Sequence, residues 1–129
     1  MTAYQVASNP SHYKDAHALM RKEGMLKEVL GFPTILAYEG EELIGFIGTA
    51  IKDGMIIAGP LLIRSDMRRP ITALRLVEAY ENAMRNMGIK TFIFNADDDS
   101  VIHEAVRRYV PDMQPYASAM GKHFFIRRL

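Results

Sequence analysis

An α/β fold, with a mixed and mostly antiparallel twisted sheet of about seven strands and helices on both faces, is what this 129-residue sequence predicts. Three observations carry that expectation. Residues 34–64 read as three apolar strands joined by short turns, an antiparallel meander. A long amphipathic stretch beginning at Pro70 and a β-branched strand over residues 89–95 come next, so helices and strands alternate in the second half. The chain closes on two short strands over residues 116–128 that look like a hairpin.

Each element has a local cause. Tyr4-Gln5-Val6 alternates in polarity and gives a first strand over about residues 3–8, broken by Asn9-Pro10. Ser11 is placed to cap a helix with His12–Glu23 as its body, and Tyr13, Ala16, Leu19 and Met20 recur at helical spacing on its buried face. Gly24 ends that helix, and Met25–Leu30 reads as a second, short one stopped by Gly31 and Pro33. Thr34–Glu39 and Leu43–Lys52 are strands joined at Gly40, and Asp53-Gly54 is a strong hairpin signal before Met55–Arg64. Pro70 then opens a helix that runs to Met87. Leu74, Val77, Tyr80, Met84 and Met87 line one face of it, Ala73, Leu76 and Ala83 widen it, and proline is tolerated at the first position because its missing N–H would be unpaired anyway. Ile89–Asn95 is a strand. Asp97–Ser100 start a further helix with acids where the helix dipole favours them, and Ile102, Ala105, Val106 and Tyr109 form its apolar face. After Pro111 and Pro115, Tyr116–Ala119 and Lys122–Arg128 turn at Met120-Gly121. The order is β-α-α-β-β-β-α-β-α-β-β, in one domain spanning residues 1–129, the size of a single core.

One local conflict is informative. Gly59-Pro60 lies inside the fourth strand, yet proline donates nothing to a ladder and is confined to edges or bulges. The near-continuous apolar run from Met55 to Ile63 argues against an edge. A β-bulge is therefore expected at this dipeptide, with the strand diverging from its neighbour and opening a cleft.

Composition excludes several classes of function. A formal net charge of +1 argues against a nucleic-acid binder that works through a basic field. The absence of cysteine removes disulfides, thiol nucleophiles and thiolate-bound metals. His12, His17, His103 and His123 show no metal-ligand spacing, so no metal is expected. Neither a G-x-x-x-x-G-K-[ST] loop nor a G-x-S-x-G elbow is present. No apolar run approaches the roughly 20 residues needed to span a bilayer, and the first residues lack a signal pattern, so no membrane partner is expected and a cytoplasmic location is.

What remains is the turn from Arg64 to Arg69, which leads from the fourth strand into a helix. The first turn of a helix offers unpaired N–H groups and a partial positive charge, and Arg68 and Arg69 add to it. This is a candidate anion site, and phosphate is the usual occupant of such a place.

At Leu61, Ile63, Ser65, Arg68, Ala73 and Leu76 the chain resembles the GNAT superfamily of acyl-CoA-dependent N-acyltransferases. The signature of that family runs from the fourth strand into the following helix, roughly as L-x-V-x-P-x-x-[RQ]-G-x-G-x-[GA] with a leucine three residues on. The element order is similar over essentially the whole chain. Where the family has glycines, this chain has Arg69 and Ile71 with Pro70 between them, a degenerate form of the pyrophosphate loop. A general likeness extends to short acyltransferase-like proteins, some of them phage-encoded.

The resemblance implies transfer of an acetyl or other short acyl group from coenzyme A, as acetyl-CoA, to an amine on a small molecule or protein. Pantetheine would run along Leu62, Ile63 and Arg64, and the pyrophosphate would lie at Arg68, Arg69, Ile71, Thr72 and Ala73. The bulge would splay the fourth and fifth strands. The thioester would point toward Asn95 and Tyr109, and the acceptor would enter between Met25–Phe32 and the loop at Met120-Gly121. Tyr109 with Ala105 matches part of the A-x-x-[LF]-Y pattern in which a tyrosine protonates the departing thiolate; the plainer reading is that Tyr109 packs as the last apolar residue of its helix. Asn95 either contacts the donor or simply begins a turn. No carboxylate lies in the fourth strand, Glu39, Glu41 and Glu42 read as a solvated turn, and His103 reads as solvent-facing. A water-relayed base or an amine that arrives neutral is then required. Arg127-Arg128 reads as a solvated strand end. Loss of the turn glycines keeps a second reading open, a non-catalytic GNAT-like binding or inhibitory protein, and the final strands suit pairing into a homodimer.

Overall fold

The computed structural model describes residues 1–67, 69–97, 114–119 and 122–129. Its elements are β1 (Thr2–Val6), α1 (Pro10–Lys22), β2 (Ile35–Glu39), β3 (Glu42–Lys52), β4 (Met55–Ile63), a 3-10 turn at Ser65–Met67, α2 (Pro70–Asn86), β5 (Thr91–Asp97), β6 (Gln114–Ala119) and β7 (Lys122–Arg128). The strands form one seven-stranded sheet in the order β1-β2-β3-β4-β5-β7-β6. Every neighbouring pair is antiparallel except β4 and β5, which the α2 crossover makes parallel.

Alternation along the strands divides the core between two faces. On one face Ile35, Ala37, Ile44, Ile47 and Ile63 pack with Ala73, Leu76, Val77, Tyr80 and Met84 of α2. On the other, Leu36, Tyr38 and Phe46 pack with Ala16, Leu19 and Met20 of α1 and with Leu30. The helices therefore cover opposite faces, as expected. The turns follow their chemistry too. Asp53 and Gly54 both take positive φ, +53° and +76°, the pair that a two-residue hairpin with right-twisted strands needs.

Three local expectations are corrected. Met25–Leu30 is not a helix: its backbone is irregular, and Leu26 and Val29 are almost fully exposed. A six-residue helix has no stability of its own. Here the segment is held by other bonds, from His17 Nε2 to the Glu28 carbonyl at 3.1 Å and from the Gly31 N–H to the Thr49 carbonyl at 2.7 Å. The cap of α1 is Asn9, whose Oδ1 accepts from the His12 N–H, and Ser11 instead donates its hydroxyl to Asn9. Pro10 at the first helical position moves the start forward. Asp97 belongs to β5 and pairs with Lys122, so it does not begin a helix. Residues 98–113, where that helix is expected, lie outside the described residues. Pro115 also lies within β6, which is tolerated because β6 is an edge strand with a register shift between Pro115 and Ala117.

Candidate functional site

The bulge lies where the sequence places it. Ile47 pairs with Leu61 and Thr49 with Ala58, so Gly59 and Pro60 together stand opposite Gly48. The Gly59–Pro60 peptide is cis, and Gly59 has a φ of +150°, open to glycine at little cost. Immediately before the bulge the parallel ladder ends. Its rungs are Ile57 with Ile93 and Ala58 with Phe94. Beyond them β4 stays with β3 as far as Gly45–Ile63, while β5 stays with β7 as far as Asp97–Lys122. Past Ala58 and Phe94 no rung joins the described residues of the two strands, and each follows its other neighbour.

The edge of β4 past the last rung carries main-chain polar groups. The Arg64 N–H donates to the Ile44 carbonyl at 2.7 Å. By antiparallel alternation the peptide groups of Leu61 and Ile63 then turn away from β3, toward the side that β5 has left. Residue types matter little for such an edge; an incoming group with its own amides meets a strand.

Behind the bulge, the segment leading into β2 is fixed against β3. The Leu30 side chain lies over Gly48, where a Cβ would come within 2.7 Å of Leu30 Cδ2. Thr49 holds the same segment twice. Its carbonyl accepts from Gly31, and its hydroxyl donates to the Pro33 carbonyl at 2.7 Å. With that proton committed, the Tyr80 hydroxyl, 2.8 Å away, must be the donor to Thr49 Oγ1. Burial pushes the Tyr80 phenol above its ordinary value, and the Thr49 bond opposes this.

The far end of β4 reaches the cationic turn, where Arg64 is engaged by two carboxylates. Arg64 Nε meets Asp66 Oδ1 at 2.6 Å and its Nη1 meets Glu42 Oε2 at 3.1 Å. These carboxylates raise the Arg64 pKa, and Arg64 in turn lowers that of Asp66. The Ser65 N–H donates to Glu23 Oε1 at 3.0 Å, so a carboxylate of the protein already occupies that donor. Glu39 bonds to the Thr2 hydroxyl and the terminal amine of Met1, which lower its pKa, and Arg69 adds a weaker pull. Glu39 and Glu42 are thus paired, not merely solvated.

The helix start itself is thinly supplied. Arg69 is the N-cap residue and contributes no side-chain cap. Pro70 has no N–H, and the N–H groups of Thr72 and Ala73 both run to the Arg69 carbonyl, at 3.1 and 3.5 Å. Thr72 is buried, and burial raises the Tyr4 pKa while the nearby Thr72 side chain partly opposes the rise. Ala73 packs in the core. Arg69 is exposed and the Ile71 side chain is half exposed.

Of the residues singled out in the sequence, Leu62, Ile63 and Arg64 lie along β4 and its exit, and Arg69, Ile71, Thr72 and Ala73 at the start of α2. Asn95 is the first β5 position past the last rung with β4, and it pairs with Phe124. Arg68 and Tyr109 lie outside the described residues. Arg127 is not a solvated strand end: it forms a close ion pair with Glu81 of α2, both side chains largely buried. Glu23, Thr49 and Tyr80 were missed as site neighbours. Each acts on a partner far along the chain, and no local signal marks them. A separate shallow groove of about 360 Å³, lined by Ala7, Ser8, Asn9, Pro10, Tyr13 and Phe32, lies at the β1–α1 junction. Among the described residues no helix is long and apolar enough to cross a membrane, and no cluster of three His, Asp or Glu side chains suits a metal.

No protein-family model and no curated protein sequence matches this chain. Solved structures do. The ribosomal-protein-S18-alanine N-acetyltransferase of Escherichia coli superposes with a TM-score of 0.71 at 9% identity, over 99% of this chain and 94% of that one. An acetyltransferase assigned to the GNAT family from Desulfovibrio desulfuricans gives 0.66 at 12% identity, over 100% and 98%. The PaiA N-acetyltransferase of Thermoplasma acidophilum, solved in complex with coenzyme A, gives 0.63 at 12% identity, over 88% and 68%. With its short parallel ladder, bulge and following helix, the chain has the fold of the GNAT N-acetyltransferases.

Proposed function

We propose that the protein transfers an acetyl or other short acyl group from a coenzyme A thioester to an amine. The observation that carries this reading is the end of the β4–β5 ladder at Ala58 and Phe94, beside the Gly59-Pro60 bulge. A narrow amide-bearing chain is proposed to lie against the β4 edge where the ladder ends. The pantetheine arm of the donor lies along Leu62, Ile63 and Arg64 in this proposal, with the head group at the turn from Arg68 to Ala73. Of that turn, the N–H groups of Arg69 and Ile71 are not used by the Arg69 carbonyl that closes the helix.

The thioester supplies an activated acyl carbon. The amine attacks it, the C–N bond forms, the nitrogen releases a proton to water, the C–S bond breaks, and the thiolate takes a proton. Asn95, just past the last rung of β5 with β4, and Tyr109 are the residues proposed beside the reacting group, with Tyr109 giving the proton to sulfur. The β4 strand holds no carboxylate, so the amine arrives neutral or loses its proton through water. The acceptor is proposed to approach past the exposed side chains of Leu26, Val29 and Phe32. A homodimer through the edge strand β6 is compatible with this arrangement and is part of the proposal.

The test is calorimetry and thermal shift with acetyl-CoA, followed by thiol release with a panel of amines. Stabilisation by acetyl-CoA and amine-dependent thiol release are expected. No binding at millimolar acetyl-CoA by the folded protein contradicts the reading and favours a non-catalytic binding role.

A further inference from the structure

The residues from Gly31 to Thr34 are tied down more fully than an irregular connection requires. The Gly31 N–H donates to the Thr49 carbonyl at 2.7 Å, and the Gly31 carbonyl accepts from the Thr34 hydroxyl at 2.8 Å. The Pro33 carbonyl accepts from the Thr49 hydroxyl at 2.7 Å, and the Thr34 carbonyl from the Ala7 N–H at 2.8 Å. Pro33 and Thr34 are buried, yet Phe32 beside them is 61% exposed. Thr49 thus grips the chain on both sides of Phe32. It also pairs with Ala58, the β4 residue at which the ladder with β5 ends. An aromatic ring left in water on a backbone already ordered is a prepared contact, because a group that meets it costs little further main-chain freedom.

Phe32 also forms part of the groove at the β1–α1 junction, and of its described lining residues, Ala7, Ser8, Asn9, Pro10, Tyr13 and Phe32, none carries a charge. The Ser8 N–H is spent on His12 Nδ1 at 3.0 Å, and Asn9 Oδ1 accepts from the His12 N–H and the Ser11 hydroxyl. What the groove offers an incoming group is mainly the apolar surface of Phe32, Tyr13, Pro10 and Ala7.

We propose that Phe32, set in place by Thr49, is a specificity-determining residue for the acyl acceptor, and that the acceptor is an amine carrying an aromatic or branched aliphatic group that lies against the Phe32 ring. This rests on the acyl-transfer reading above and narrows its acceptor. The physical reason is desolvation. An apolar group gains by leaving water for the ring, whereas a second ammonium loses hydration and finds no carboxylate lining the groove.

The experiment is steady-state thiol release from acetyl-CoA by the intact protein with 2-phenylethylamine, ethylamine and spermidine, beside calorimetry with acetyl-CoA. The wild type is expected to favour 2-phenylethylamine in kcat/KM by about tenfold or more. Phe32→Ala alters an exposed side chain and should raise KM for 2-phenylethylamine about tenfold, with kcat and the KM for ethylamine within about twofold. Thr49→Val should raise the same KM about fivefold, Thr49→Ser should restore it, and Thr49→Val should add less than about twofold to Phe32→Ala. The acetyl-CoA dissociation constant should not change in any of these variants. A wild type that favours spermidine, or a Phe32→Ala effect equal for 2-phenylethylamine and ethylamine, overturns this inference and leaves acyl transfer standing. Additive effects of Thr49→Val and Phe32→Ala overturn the placing of the ring by Thr49. Acetyl-CoA binding with no release from 2-phenylethylamine overturns this inference alone, and failure of acetyl-CoA to bind overturns acyl transfer with it.

Discussion

The hydroxyl of Tyr80, in the middle of α2, donates to Oγ1 of Thr49 at 2.8 Å inside the core, and Thr49 passes its own proton to the carbonyl of Pro33. Two hydroxyls thereby join the helix, the strand beside the bulge and the segment that crosses it. Tyr80→Phe removes one bond and leaves the Thr49–Pro33 bond intact, so a loss of about 1 kcal/mol is expected. Thr49→Val leaves both the Tyr80 hydroxyl and the Pro33 carbonyl without this partner and should cost about 2–3 kcal/mol. Urea denaturation of the two variants checks the order; a larger loss in Tyr80→Phe contradicts it.

The glycines facing that segment are expected to differ in cost. A Cβ at Gly31 would stand 2.8 Å from the backbone oxygen of Thr49, which cannot move without breaking the strand. At Gly48 the obstruction is the end of the Leu30 side chain, which can change rotamer. Gly31→Ala should therefore destabilise by about 2–3 kcal/mol and Gly48→Ala by about 1 kcal/mol. Equal thermal midpoints for the two variants would show the segment to be looser than described.

Much of the fold was legible, for identifiable reasons. Gly59-Pro60 inside an apolar run has few solutions besides a bulge, and Asp53-Gly54 leaves a hairpin little choice. The apolar spacing of Val77, Tyr80 and Met84 marked the buried face of α2, although Met87, expected on the same face, is exposed. What could not be read depends on partners distant in sequence. Met25–Leu30 has helical composition, but its fate was decided by Thr49 and His17. Arg127 finds Glu81 across 46 positions, and Ser65 finds Glu23 across 42. The pairing of Arg64 with Glu42, 22 positions away, was invisible for the same reason.

The Glu81–Arg127 pair joins α2 to β7 in a largely dry setting. Arg127→Ala leaves the Glu81 carboxylate buried without its arginine, and a loss of about 3 kcal/mol is expected. Replacing both residues with apolar side chains of similar volume should recover most of it. Denaturant midpoints of the single and double variants decide the matter; an additive double variant would show that the two charges do not depend on one another.

Alkaline stability should follow the tyrosines. Burial raises the pKa of Tyr4, Tyr38 and Tyr80, and the bond from the Tyr38 hydroxyl to Asp15 at 2.7 Å raises that of Tyr38 further. A phenol with a raised folded value contributes stability that is complete below about pH 10 and is lost as pH rises through the folded value. Ultraviolet titration should show these three ionising together with unfolding. Reversible ionisation of all six tyrosines near pH 10 in the folded protein would contradict their burial.

The central claim is that the acyl donor lies along β4 where its ladder with β5 ends. The most direct measurement is an amide-resolved NMR titration with acetyl-CoA. Shifts concentrated at Ala58, Leu61, Ile63 and Asn95, on the two strands where the ladder ends, are the predicted result. A titration that leaves those amides unmoved at millimolar acetyl-CoA, or that moves only the groove around Asn9 and Phe32, would contradict it.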